Sequence, residues 1–176
     1  MEPLPKFVYH PDPIATGAVI SSEEVCECCE KPRGFVYDSV IYAEDEILHV
    51  CPWCISSGAV AEKFDADFVD SHPLAQAGIA DAIIEEVSLR TPGYTSWQQE
   101  SWLSCCSDAC EFHGDATKEE LAALDAEGLK RLSDTTGFPV EHLPDILKFY
   151  EPKGSPAFYR FVCRHCSIVR YHGDCH

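Results

Sequence analysis

The stretch CECCEKPRGFVYDSVIYAEDEILHVCPWC, residues 26–54, is the most informative part of this 176-residue chain. It begins and ends with a Cys-x-x-Cys pair, and 21 residues separate the two pairs. A two-residue gap lets one tight turn direct two thiolates at a single metal ion, and a second pair completes a tetrahedron. The spacing therefore predicts a structural Zn²⁺ site whose ligands are Cys26, Cys29, Cys51 and Cys54.

The residues between and after these pairs predict a zinc unit of the treble-clef or ribbon type. Residues 34–42 alternate aromatic and β-branched side chains, which is typical of a strand, and residues 47–50 read as a second short strand. A short helix is predicted to begin at or near Cys54, where its N-terminus would help to stabilise thiolate charge. The order pair, hairpin, pair, helix favours the treble clef.

Other interpretations of the same cysteines are weaker. The segment from Cys51 to Cys54 also has the spacing of a redox motif, but no parallel-sheet pattern surrounds it and the upstream pair favours metal. Cys28 lies inside the first pair and is interpreted as a bystander, because Cys26 and Cys29 keep the required spacing. The chain has eleven cysteines, an odd number that a monomer paired only through disulfides cannot accommodate.

A second four-cysteine Zn²⁺ site is predicted from the later part of the chain. Cys163 and Cys166 lie in the turn of a predicted C-terminal hairpin over residues 158–171, and Cys106 and Cys110 supply the other half. This site would clamp the hairpin to the middle of the chain. Competing ligands are Cys105, His113 and His165, and a tail site of His172, Cys175 and His176 is disfavoured because chain ends fray.

Helices account for most of the remaining pattern. Apolar spacing and helix-stop signals predict helices over residues 75–89, 118–132 and 144–150. Thr117 and Glu120 form a capping box at the start of the second helix. The fold class predicted from these elements is α+β, a small zinc-stabilised protein with a C-terminal β-hairpin packed with helices.

Domain organisation follows from where the cysteine pairs fall. We predict an N-terminal zinc unit over residues 1–70 and a helical region with the closing hairpin over residues 71–176, with one compact domain as the alternative. The aromatic residues Tyr94, Trp97 and Trp102 are predicted to belong to the core rather than to a recognition surface.

Charge argues against a nucleic-acid partner. The chain has 30 Asp and Glu residues against 13 Lys and Arg, a formal net charge of −17. Binding to phosphates requires Lys and Arg, and a patch of Arg160, Arg164 and Arg170 is a sparse footprint. The acidic surface instead indicates solubility or a protein partner with a basic surface.

Location and catalysis are constrained mainly by what the sequence lacks. No apolar run approaches a membrane span, and the N-terminus has no secretory pattern, so we expect a cytoplasmic protein. No nucleotide-binding, hydrolase or HExxH motif is present, and no catalytic residue is predicted. Catalytic zinc needs an open coordination position, which two all-thiolate sites would not leave.

Several motifs of this chain occur together in one family of bacterial proteins: FVYHPDPIATG (residues 7–17), CECC (26–29), CPWCI (51–55), RTPGY (90–94) and FVCRHC (161–166). By these motifs the chain resembles the CbrC family, the family of the colicin E2 tolerance protein. The resemblance implies a small cytosolic protein with paired cysteine motifs, no assigned catalytic residue, and a His where this chain has Cys105. The family's name reflects a tolerance phenotype tied to envelope or stress regulation.

Together these patterns predict a zinc-binding protein that acts by binding another protein, and the resemblance to the CbrC family implies a stress- or envelope-related response. The alternative is a redox-responsive switch in which thiol oxidation releases zinc. A zinc-dependent enzyme is the third interpretation.

Overall fold

The computed structural model describes residues 2–175, and the fold is α+β, as predicted. Within that range, short strands and short helices follow one another in blocks along the chain, joined by irregular segments. In chain order they are β1 (Val19–Ser21), β2 (Phe35–Tyr37), α1 (Pro52–Ser56), α2 (Ala59–Phe64), α3 (His72–Gln76), α4 (Asp81–Arg90), β3 (Ser104–Cys105), β4 (Asp108–Ala109), β5 (Glu111–Asp115), α5 (Lys118–Ala122), α6 (Ala126–Thr136), α7 (Leu143–Lys148), β6 (Ala157–Val162) and β7 (Val169–Asp174).

The strands form three small antiparallel sheets, β1-β2, β3-β4 and β5-β6-β7. The predicted C-terminal hairpin is confirmed as β6 and β7. In the N-terminal part, β2 pairs with residues 19–21 rather than with residues 47–50, which form no strand. The latter segment still lies beside β2, since the backbone N–H of Tyr37 donates to the carbonyl of Val50 at 2.9 Å.

Two of the predicted helices are each divided in two. Gly78 has a left-handed φ of 69° and lies just after the end of α3, and a separate helix, α4, begins at Asp81. Farther on, the carboxylate of Asp125 accepts the N–H of Gly128 at 2.7 Å and so caps a new helix, α6. The predicted capping box of Thr117 is present. None of the helices within residues 2–175 has the length and apolar content needed to cross a membrane.

The three-stranded sheet separates two hydrophobic clusters. Successive residues of β6 face opposite sides, so Phe158 packs into one cluster while Tyr159 and Phe161 pack into the other. Tyr94 and Trp102 belong to the larger cluster, as predicted for the core. Trp97, which was predicted with them, is 47% exposed, and its indole N–H donates to the carbonyl of Gly154 at 2.9 Å.

Candidate metal centres

The four cysteines of the first predicted site come together. The Sγ atoms of Cys26, Cys29, Cys51 and Cys54 all lie within 4.8 Å of one another. Three of these residues are buried, and Cys29 is half-buried. The structure therefore brings together the same four cysteines that the sequence predicted for the first site.

The first pair is held in a turn with a defined hydrogen-bond pattern. The N–H of Cys26 donates to the carbonyl of Lys31 at 3.0 Å, and the N–H of Glu30 donates back to the carbonyl of Cys26 at 2.7 Å. Glu30 has a φ of 58°, in the left-handed region, which closes the turn around the two thiols. This geometry leaves the backbone N–H groups inside the turn free to point at sulfur.

The pair in the C-terminal hairpin is built in the same way. The N–H of Cys163 donates to the carbonyl of Ile168 at 2.9 Å, and that of Ser167 donates to the carbonyl of Cys163 at 3.0 Å. Ser167 also has a φ of 58°. The two turns therefore repeat one design, at two places in the chain that share no other obvious sequence similarity.

Both turns favour the thiolate form of their first cysteine. Hydrogen bonds from the Cys51 side chain and from backbone N–H groups at Cys29 and Cys28 outweigh burial and lower the pKa of Cys26 to about 4. Burial opposes ionisation of Cys163, but the N–H groups of Cys166 and His165 outweigh it and lower its pKa to about 6. The thiolate is the form that binds metal. Burial and neighbouring thiols act in the opposite direction on Cys54 and Cys105, whose pKa they raise.

The second half of the first group sits at the start of α1. Cys51 is the N-cap residue, Pro52 occupies the first helical position, and the N–H of Cys54 donates to the carbonyl of Cys51 at 3.0 Å. Proline is well suited to this position because its missing N–H would have no partner there. One helical turn thus places two sulfurs side by side, and the Cys51 N–H donates to Cys26 Sγ at 3.2 Å. A Cys-x-x-Cys turn facing a pair at a helix N-terminus is the arrangement predicted for a treble clef.

The second group differs from the prediction in one member. The sulfurs that lie within 4.8 Å of one another are those of Cys105, Cys106, Cys163 and Cys166. Cys110, predicted as the partner of Cys106, lies outside this group, and the adjacent Cys105 takes its place. Sequence spacing named Cys105 only as a competing ligand.

The β3-β4 hairpin explains this correction. Its two-residue turn consists of Cys106 and Ser107, whose φ angles of 54° and 61° are those of a type I′ turn. Cys105 and Cys106 therefore stand together at the tip. The N–H of Cys110 donates to the carbonyl of Leu103 at 2.9 Å, which draws this residue back to the base of the hairpin, where it is fully buried.

Sulfur spacings in both groups match a tetrahedral ion rather than a disulfide. Four sulfurs bound to Zn²⁺ at about 2.3 Å are about 3.8 Å apart. The Cys29–Cys51 separation is 3.9 Å, Cys105–Cys106 is 3.7 Å, and Cys105–Cys166 is 3.8 Å. All eleven cysteines are free thiols.

Cationic and hydrogen-bonding groups surround each set of sulfurs. Near the first, Arg33 interacts electrostatically with Cys29, and Lys63 Nζ donates to the carbonyls of Glu27 at 2.9 Å and of Cys28 at 3.0 Å. Four thiolates around one Zn²⁺ leave a net charge of −2, which nearby cations offset. The chain has few Lys and Arg residues, and two of them lie beside this one set of sulfurs.

The second set is braced by Asp108, a buried carboxylate in the β3-β4 hairpin. It accepts hydrogen bonds from Tyr9 at 2.8 Å, from His165 Nε2 at 2.8 Å and from Arg164 at 3.2 Å. Burial opposes its ionisation, but the hydrogen bonds from Tyr9 and His165 outweigh that effect and hold the pKa of Asp108 below its usual value. Asp108 thereby ties the hairpin to the turn between Cys163 and Cys166.

Solvent exposure distinguishes the two groups. The first is almost wholly buried, whereas in the second only Cys163 is buried, and Cys106 and Cys166 are exposed. Reagents in solution can therefore reach the second group directly.

The remaining candidate ligands are not part of either group. His113 Nε2 lies 3.1 Å from a carboxylate oxygen of Glu111, and neither Cys28, which neighbours the first group, nor Cys175 belongs to a set of four. His165 contacts Asp108 instead of joining the sulfurs. His176 lies outside the described residues.

Comparisons with known proteins place the chain in one family. A family profile described as "Uncharacterised protein family (UPF0167)" matches residues 4–175. A UPF0167 protein of Pseudomonas aeruginosa is 47% identical over 174 residues, which are 98% of this chain and 97% of the relative. UPF0167 proteins of Mycobacterium bovis and Mycobacterium tuberculosis are each 36% identical over 176 residues, 97% of this chain and 93% of the relative. No solved structure matches. The chain therefore belongs to the UPF0167 family.

Proposed function

We propose that this protein binds two Zn²⁺ ions, one in each four-cysteine group, and that the ions stabilise a scaffold which binds another protein in the cytoplasm. The observation that carries the metal assignment is the convergence of two sets of four sulfurs at tetrahedral spacing. Thiolate-only shells favour Zn²⁺ over harder cations such as Mg²⁺ or Ca²⁺. Four protein ligands also leave no open position, which favours a structural role over a catalytic one.

Metal analysis of three proteins tests the assignment. The wild-type chain should carry two Zn²⁺ per molecule, and Co²⁺ substitution should give the visible spectrum of tetrahedral thiolate coordination. Cys105→Ser should reduce the content to one ion because it removes a ligand of the second group. Cys110→Ser is the matched control: it changes a neighbouring buried cysteine and should leave two ions. One ion in the control, or two in Cys105→Ser, would contradict the ligand set.

A partner-binding role is supported by the character of the scaffold. Both groups join distant segments of the chain, since Cys26 and Cys51 are brought together, as are Cys105 and Cys166. Such cross-links stabilise shape, and the acidic surface, with a formal net charge of −17, suits a partner with a basic surface. The sequence resemblance to the CbrC family suggests a setting in an envelope or stress response.

A redox-responsive switch is the second candidate, and the exposure of Cys106 and Cys166 favours it specifically for the second group. In such a switch, peroxide would oxidise two thiolates to a disulfide, taking up two protons to give two waters, and the Zn²⁺ would leave. Mild peroxide with a zinc-sensitive dye separates the candidates. A structural pair of sites retains both ions, whereas a switch releases one ion from the exposed group and recovers it after reduction.

A further inference from the structure

An apolar groove runs between α6 and the first residues of β7. Its volume is about 480 Å³, within the range of ligand-binding pockets. Leu124, in the loop before α6, and the buried Leu132 of α6 line one side, Val169 and Tyr171 line the strand side, and Cys105 also contributes to the lining. The groove therefore adjoins the second four-cysteine group.

The strand that borders this groove has an open edge. β7 is the last strand of the sheet, and within residues 2–175 no other strand pairs with its outer side. The N–H of Cys163 donates to the carbonyl of Ile168, which sets the phase of the antiparallel ladder. Alternate residues after Ile168, beginning with Arg170, then bond inward to β6. The backbone N–H and C=O groups of Val169 and Tyr171 consequently point outward, where an added strand would bond.

The groove is also less acidic than the rest of the molecule. Arg131 and Arg170 line it together with one acidic residue, Asp134, whereas the whole chain has 30 acidic against 13 basic residues. Arg170 is fixed by a 2.6 Å hydrogen bond to the carbonyl of Ser104. Arg131 is paired with Glu127 at 2.6 Å on the exposed face of α6. Two guanidinium groups beside an apolar surface favour a ligand that carries both apolar groups and a carboxylate.

We propose that this groove binds an extended, acidic and apolar peptide segment of a partner protein, which adds to the sheet as a strand beside β7. The outward backbone groups of Val169 and Tyr171 would bond its main chain, and alternate apolar side chains would pack on Leu124 and Val169, which are half-buried. An acidic side chain or a C-terminal carboxylate would face Arg131. The backbone groups favour a peptide over a fatty acid, which would leave them unused. This proposal rests on the partner-binding part of the proposed function; the basic partner surface expected from net charge concerns the remaining, acidic surface.

Selection from a phage-displayed library of random heptapeptides, panned on the zinc-loaded protein, tests the proposal. Enriched sequences should alternate apolar residues and contain Asp or Glu. Synthetic, fluorescein-labelled versions should bind Arg131→Glu about tenfold more weakly by anisotropy, because one attraction becomes a repulsion. Lys130→Glu is the matched control, since it makes the same charge change on the neighbouring, exposed residue, and affinity there should stay within about twofold. Bound peptide should also slow amide hydrogen exchange at Val169 and Tyr171.

Several results would overturn this assignment. They are no enriched peptide, equal affinity for Arg131→Glu and the wild type, or unchanged amide exchange at Val169 and Tyr171. Dodecanoate binding that Arg131→Glu weakens, without an enriched peptide, would assign the groove to a small amphiphile. A dimer that Arg131→Glu dissociates would assign it to a second copy of the chain. Zinc content measured on the same samples shows separately whether the metal proposal holds, so the two can fail independently.

Discussion

Acidification should destabilise this protein through one buried imidazole, that of His10. The side chain is fully buried, its Nδ1–H donates to the carbonyl of Pro92 at 2.8 Å, and Nε2 lies 2.7 Å from the hydroxyl of Thr16. Because a carbonyl only accepts, Nδ1 carries the proton and Nε2 accepts from Thr16 in the neutral form. Burial is the largest effect and lowers the pKa of His10 from 6.5 to about 4; nearby His113 lowers it further, and the Pro92 hydrogen bond and Asp12 act in the opposite direction.

The size of the effect follows from linkage. Since the pKa of the folded state lies below that of the unfolded state, the unfolded chain binds the extra proton more readily, and stability falls as pH falls below about 6.5. Between pH 8 and pH 5.5 the loss from this single group should be about 1.4 kcal/mol. It should approach about 3.4 kcal/mol below pH 4, where both states are protonated. Above pH 7 the group should contribute no pH dependence.

Urea denaturation at pH 8 and pH 5.5 measures the loss, and His10→Asn supplies the comparison. Asparagine offers an N–H donor toward Pro92 but does not titrate in this range. Any metal bound to the cysteine groups would also be lost in acid, but equally in both proteins, so the difference between the two pH dependences isolates the imidazole. Parallel loss of stability in the wild type and in His10→Asn would refute the reasoning, because the imidazole would then titrate alike in the folded and unfolded states.

Two further substitutions test the packing and the local capping. Gly93→Ala should reduce the free energy of unfolding by about 3 kcal/mol, because the added Cβ would lie 2.1 Å from the backbone carbonyl oxygen of Phe68. Gly137→Ala, whose Cβ meets nothing within 4 Å but whose φ is 75°, should cost only about 1 kcal/mol, and equal losses in urea titration would contradict the clash. Thr117→Ala should cost about 1 kcal/mol because it removes the hydroxyl that accepts the Glu120 N–H at 3.1 Å, and an unchanged urea midpoint would argue against the capping box.

The sequence predicted those features whose geometry is local. A Cys-x-x-Cys turn needs only a few residues to close, so Cys26 with Cys29, and Cys163 with Cys166, could be paired from spacing alone. The capping box at Thr117 is local in the same sense. The break of the predicted helix at Gly78 was harder to foresee, because a glycine inside a helical pattern costs only about 1 kcal/mol and its left-handed φ depends on the surrounding packing.

The structure places Cys105 in the second group where the sequence predicted Cys110, and residue spacing alone could not have shown this. Both residues lie close to Cys106 in the sequence, but only Cys110 has the gap of two to four residues that is usual between metal ligands, so spacing favoured Cys110. Whether Cys105 or Cys110 joins the group depends on the register of the β3-β4 hairpin, in which Cys106 and Ser107 form the turn with left-handed φ angles. Neither residue is a glycine or asparagine, so no turn signal marks the tip. The turn with these unfavourable φ angles brings two adjacent sulfurs into the group that could hold a metal ion.

The second four-cysteine group and the groove share structural elements, and this predicts coupling between them. Cys105 belongs to both, and β7 begins three residues after Cys166. If Zn²⁺ orders this end of the groove, it strengthens peptide binding, and linkage then requires the bound peptide to strengthen Zn²⁺ binding by the same factor. In competition with a chelator of known affinity, the second ion should therefore have a lower Kd with a selected heptapeptide bound, while the Kd of the first ion is unchanged. Identical Kd values with and without the peptide would show that the groove and the metal group act independently.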